Sequence, residues 1–155
     1  MNNRQMISMV LVLSSMIFTG CVQPAQGSNP ATQNTTPAAP ALSGPRVFFV
    51  EPADGAEVTS PVTVKFGAEE FTVEPAGEAV KPAHGHLHVM VDTDCIPAAQ
   101  GIPNDETHLH YGKAQMEAEI ELSPGEHTLC LQAADSNHVA LAGEGMTHVI
   151  TVKVR

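Results

Sequence analysis

The chain has 155 residues, and 7 Lys plus Arg stand against 17 Asp plus Glu, a formal charge of −10 with His neutral. A field of that sign repels phosphate backbones, so a nucleic-acid binder held by charge is excluded, and the length allows one ordinary domain. Eight histidines in so small a chain are the feature of the composition that asks for a reason.

Met1 to Gln5 carries one cation, Arg4, and Met6 to Phe18 is an uncharged, mostly apolar run that ends in Thr19-Gly20-Cys21. A basic start, a short apolar segment and small residues before a cut site predict an export signal over residues 1–20. The run is too short to span a bilayer, which takes about 20 residues. Cys after Thr-Gly matches a bacterial lipobox, so Cys21 is the expected lipidation site and membrane anchor. With no Asp after Cys21, the expected location is the outer membrane of the cell envelope, facing the periplasm or the surface. Residues 21–45 hold Pro24, Pro30, Pro37, Pro40 and Pro45 with no charge and no apolar period, and are expected to be a disordered tether. The folded domain is expected over residues 46–155.

Within that domain, strand signals follow one another with turn punctuation between them. They are Arg46 to Glu51, Pro61 to Phe66, Phe71 to Glu74, His84 to Asp92, Ala114 to Leu122, His127 to Ala133 and Thr147 to Val154. In the fifth, Met116, Ala118, Ile120 and Leu122 are expected to point inward and Glu117, Glu119 and Glu121 outward. No segment keeps a helical period. About seven short strands predict an all-β, antiparallel, immunoglobulin-like β-sandwich.

With Cys21 assigned to lipid, Cys95 and Cys130 are left, and in an oxidising envelope two such cysteines most often form a disulfide. Metal ligation by their thiolates is the rival reading.

All eight histidines fall between His84 and His148. His84, His86 and His88 alternate, so on a strand they share one face, while Leu87, Val89 and Val91 take the core side. Residues two apart on a strand stand about 6.6 Å apart, close enough for converging imidazoles to share an ion. His108-Leu109-His110 repeats the pattern, and if the two stretches are neighbouring strands their His faces coincide. The candidate ligands are therefore His86, His88, His108 and His110, with His138 from the loop Asp135-Ser136-Asn137-His138. Imidazole suits copper or zinc among other ions. A histidine pH switch is a second reading of the same residues. His127 and His148 share faces with apolar residues and are expected at the core edge. Asp92, Asp94, Asn104, Asp105 and Glu106 are oxygen donors around one loop but lack a calcium-loop spacing, and solvated acids are expected.

The chain resembles a bacterial domain-of-unknown-function family of small exported proteins. The residues that carry the resemblance are Glu51-Pro52-Ala53-Asp54-Gly55-Ala56, Ser60-Pro61-Val62, Gly85-His86-Leu87-His88 leading to Asp92, and His108-Leu109-His110-Tyr111-Gly112. Pro124-Gly125-Glu126-His127-Thr128-Leu129 and Asp135-Ser136-Asn137-His138 continue it. The family pattern has three adjacent His where this chain has His86-Leu87-His88, and a Pro near Ala140. Cys95 and Cys130 stand outside the pattern, which favours a local disulfide. The resemblance implies the β fold and the His positions and names no activity.

Neither a nucleophile motif (GxSxG), a zinc-protease motif (HExxH) nor a phosphate loop is present, so an enzyme is not expected. The leading expectation is a non-enzymatic lipoprotein that binds copper or zinc. The other is an immunoglobulin-like module for an envelope protein or wall polymer, with His scattered and no metal.

Overall fold

Alternating apolar and polar residues decide where the strands run, and turn residues decide where they stop. A computed structural model describes residues 43–155; the expected signal, the expected lipidation site Cys21 and the expected tether as far as residue 42 lie outside the described residues. Nine strands follow in order: β1 (Arg46–Glu51), β2 (Ala56–Val58), β3 (Val62–Glu69), β4 (Thr72–Val73), β5 (His84–Val91), β6 (His108–Tyr111), β7 (Glu117–Ile120), β8 (Gly125–Ala134) and β9 (Thr147–Val154). The one helical turn among the described residues is a 3-10 turn, Glu144–Met146.

The strands form two sheets, β1-β3-β7 and β2-β9-β8-β5-β4, with β6 also on β5. The first chain segment is split between them: β1 pairs antiparallel with β3, and β2 pairs parallel with the last strand, β9. That connectivity is the immunoglobulin-like sandwich expected. Two details differ from the expectation. There are nine strands among the described residues, because β2 and β6 are too short for a periodic signal, and β2-β9 and β4-β5 are parallel pairs. The remaining pairs are antiparallel.

The two sheets bury Val47, Phe49, Val62, Val64, Phe66, Leu87, Val89, Ile120, Leu129, Leu131, Ile150 and Val152 between them. Inward alternation on β3, β5 and β8 accounts for most of these. Met116 is a correction: it lies ahead of β7, escapes the alternation and is 38% exposed.

The outer face of the larger sheet is also buried, which alternation alone does not foretell. His86, His88 and Met90 of β5 and Cys130, Gln132 and Ala134 of β8 are shielded from solvent. The long connection over residues 92–107 folds back on this face. There Ile102, Ala134 and Ala140 form a second small apolar cluster, with Ile96 against it. Cys95 and Cys130 are joined by a disulfide across a sequence separation of 35. Closing a loop of that length restricts the unfolded chain by on the order of 4 kcal/mol.

Candidate metal centre

Register brings the two HxH segments together. On β5 and β6, His88 lies opposite His110 and Met90 opposite His108. All of these project from the outer face, because Leu87, Val89 and Leu109 take the core side. The third contributor is the connection after β8. Asp135 accepts the Asn137 and Val139 N–H groups on its Oδ1, at 2.8 and 3.0 Å, and its carbonyl accepts the His138 N–H at 3.0 Å. This tight turn puts His138 at φ 64, a left-handed conformation uncommon for a side-chain-bearing residue and concentrated at functional sites. The turn delivers its ring over the sheet.

Four imidazoles meet there. The ring centroids of His86 lie 4.9 Å from His88, 4.9 Å from His110 and 4.7 Å from His138. His110 and His138 stand 4.7 Å apart. The Nε2 atoms of His86 and His88 are 3.0 Å apart, and those of His110 and His138 are 3.2 Å apart. Nitrogens bound to one ion at about 2.0–2.1 Å in a tetrahedron stand about 3.3 Å from one another. His86, His110 and His138 each offer a ligand atom within 4.8 Å of the others, a group that can hold a metal ion. His88 touches this group from the side: it packs on His110 at 4.9 Å, while its ring is 5.8 Å from that of His138.

The electrostatics favour ligation. Burial drives the His86 pKa down to about 4 and that of His88 down to about 3, with neighbouring imidazoles adding to the effect. His110 is lowered for the same reasons, burial first. These three rings therefore stay neutral near pH 7, and a cation would meet little competition from protons there. The Nδ1 atoms of His86 and His88 are buried with no hydrogen-bond partner among the described residues. Buried polar groups are nearly always paired, so these two nitrogens set the cluster apart from an ordinary satisfied core.

A close backbone approach seats His110. A Cβ built on Gly112 would run into Nε2 and Cε1 of the His110 ring, so only glycine leaves room for that ring. Glycine here is part of the site, and HLHYG in the sequence is the only hint of it.

The other histidines are placed elsewhere. His108 is on the same face as His110, but its Nδ1 bonds Asp105 Oδ1 at 2.8 Å, and it does not join the group of three. His84 turns its Nδ1 to the Pro82 carbonyl at 2.8 Å. His127 faces acceptors with both nitrogens, Asp92 Oδ2 at 2.7 Å and the Ser123 carbonyl at 2.9 Å, and its pKa is raised by the Asp92 carboxylate. His148 accepts the Phe49 N–H at 3.2 Å, and burial lowers its pKa. Both are half-buried at the core edge. Among the loop acids, Asp92 and Asp105 spend their oxygens on these histidines and on the Thr128, Thr107 and His108 N–H groups.

Residues 64–155 match the family model described as Domain of unknown function (DUF4399). The chain belongs to this family. The matched span contains all four clustered histidines, so the centre lies inside the family domain, whereas β1 and β2 precede it. Comparison with curated proteins and with solved structures gives no match.

Proposed function

We propose that this member of the family binds one transition-metal ion, copper(II) or zinc, through His86, His110 and His138, with His88 as the adjoining fourth imidazole. The observation that carries the reading is the convergence of imidazoles from β5, β6 and the turn at His138 on one place, with His86 fully buried and held neutral. An all-nitrogen donor set suits either ion, and the Irving–Williams order places copper(II) above zinc in affinity. Cys95 and Cys130 take no part as ligands, since they are joined to each other.

The role that follows is holding or passing on metal at the envelope. His86 and His88 are fully buried while His110 and His138 are half-exposed, so an ion would enter and leave on the His110–His138 side. We place the protein on the envelope membrane through lipid on Cys21; loss of labelled-lipid incorporation in a Cys21→Ala chain tests this. The rival reading, an interaction module without metal, called for scattered histidines, and four of the eight are instead gathered in one place.

Calorimetric titration of the chelator-treated chain with Cu²⁺ and Zn²⁺ tests the proposal. One ion per chain is expected, with affinity lowered at least ~100-fold in a His86→Ala/His110→Ala/His138→Ala chain, because outer-shell losses alone already cost 10–100-fold. Equal affinity in the two chains would refute it.

A further inference from the structure

We propose that the disulfide Cys95–Cys130 and the buried amide of Gln132 are the brace that positions His138, so that the oxidation state of the two cysteines controls the affinity of the metal centre. The inference rests on the metal reading above and assigns its regulation.

Cys130 and Gln132 belong to the same buried face of β8 as the histidines of β5, with Cys130 opposite Met90 and Gln132 opposite His88. Each ties down the loop that covers that face. Cys130 does so covalently through Cys95. Gln132 does so with both ends of its amide: Oε1 accepts the Ile96 N–H at 2.9 Å, and Nε2 donates to the Ile96 carbonyl at 2.7 Å. A buried amide that spends donor and acceptor on one residue is a clamp.

The clamped loop in turn holds the turn bearing His138. The Ile102 N–H donates to the His138 carbonyl at 2.8 Å, the Ala140 N–H to the Gln100 carbonyl at 2.8 Å, and the Ala99 N–H to the Ala140 carbonyl at 2.9 Å. Gly101 and Val139 form an isolated bridge between the same two segments. His138 is thus fixed from its own side by the Asp135 turn and from the other by a loop that Cys95–Cys130 cross-links to β8. His86 and His110 need no such support, because they sit on paired strands. Loosening the loop therefore withdraws one ligand of three and leaves the fold in place.

The redox step needs a dithiol reductant. One thiolate attacks the Cys95 sulfur, since Cys95 is half-exposed while Cys130 is buried. The Cys95–Cys130 bond breaks, a mixed disulfide forms at Cys95, and Cys130 leaves as thiolate and takes a proton. The second thiol of the reductant then attacks its own sulfur in that bond, releasing Cys95 as a thiol. Two electrons and two protons pass to the chain, and the reductant leaves as its disulfide.

The experiment compares the oxidised chain with Cys95→Ser/Cys130→Ser and Gln132→Met, each with and without His138→Ala. Without metal, amide exchange at Ile102 reports the brace directly; with Zn²⁺, affinity reports its consequence. In both variants the Ile102 amide is expected to exchange at least tenfold faster while β8 and β9 amides stay protected. Zn²⁺ affinity should fall ~10–100-fold, the range seen for lost outer-shell support. His138→Ala should weaken Zn²⁺ binding in the oxidised chain and add nothing in the cysteine-free one. Unchanged Ile102 exchange, unchanged affinity, or an equal His138→Ala effect in both backgrounds would overturn the proposal. Should the cysteine-free chain not fold, Gln132→Met carries the same readouts. Should the oxidised chain bind neither ion, the metal reading and the affinity control fall together, and Ile102 exchange alone decides the brace.

Discussion

Replacing His86 and His88 together by leucine separates a ligand site from a structural core. Both rings are fully buried, their Nε2 atoms are engaged only with each other at 3.0 Å, and each Nδ1 has no partner. Each unpartnered buried nitrogen costs about 1–3 kcal/mol, and removing both members of a polar pair leaves no new orphan behind. Repacking two leucines of different shape returns about 1–3 kcal/mol of that gain. The His86→Leu/His88→Leu chain should therefore be more stable than wild type by about 1–3 kcal/mol in chelator. At roughly 4 °C per kcal/mol for a domain of this size, the melting temperature should rise by about 4–12 °C. The pH dependence should change as well. His86 titrates at about 4 and His88 at about 3 in the folded state, against 6.5 for a free imidazole. Between those values the unfolded chain binds more protons, so wild-type stability falls as pH drops from 6.5 toward 4. The double variant should lose that part of the slope. Thermal melts followed by circular dichroism in chelator, at pH 5 and pH 7.5, measure both effects. A melting temperature several degrees lower than wild type, with the slope intact, would refute the reasoning and make the pair a satisfied structural core.

The other predictions concern the neighbours of the cluster. Gly112→Ala places a Cβ against the His110 ring, so the ring must shift; metal affinity should fall about tenfold or more in a titration while circular dichroism stays unchanged. His108→Ala removes a ring that is bonded to Asp105 and stands outside the group of three, so Zn²⁺ affinity should stay within about twofold of wild type, far from the 10–100-fold of a supporting residue. His127 has its pKa raised by Asp92, so its contribution to stability is complete below 6.5 and is lost as pH rises through the higher folded value. Asp92→Asn should therefore destabilise the chain at pH 5.5 more than at pH 8.5, by denaturant titration.

Strand alternation was legible because a sandwich core imposes period two on every strand it covers. The runs at Arg46–Glu51, His84–Val91 and Thr147–Val154 stand within a residue of where the pattern put them. β2 and β6 were less visible, since three or four residues cannot show a period. The shared face of His86 and His88 also followed from alternation, whereas the pairing of Cys95 with Cys130 was expected from the count of cysteines left over in an oxidising compartment. Which histidines meet did not follow. His108 and His110 carry the same spacing and face, yet β5-β6 register sets His110 opposite His88 and sends His108 one step on, beside Met90 and within reach of Asp105.

Sequence alone, then, determined the sandwich, the face on which the histidines stand and the family to which they belong, because these depend on local period and local motif. Tertiary structure decided the rest. Residues 92–107 fold back on the outer face of β8, where Ile96 meets Gln132 across 36 residues of chain, a contact that no local pattern records. The same packing brings His138 from beyond β8, 28 residues past His110, to within 3.2 Å of its Nε2. Burial then keeps His86 and His88 neutral, since a low-dielectric surrounding penalises their charged form. A histidine count is a property of composition; a candidate metal centre is a property of register, burial and the turn that carries His138.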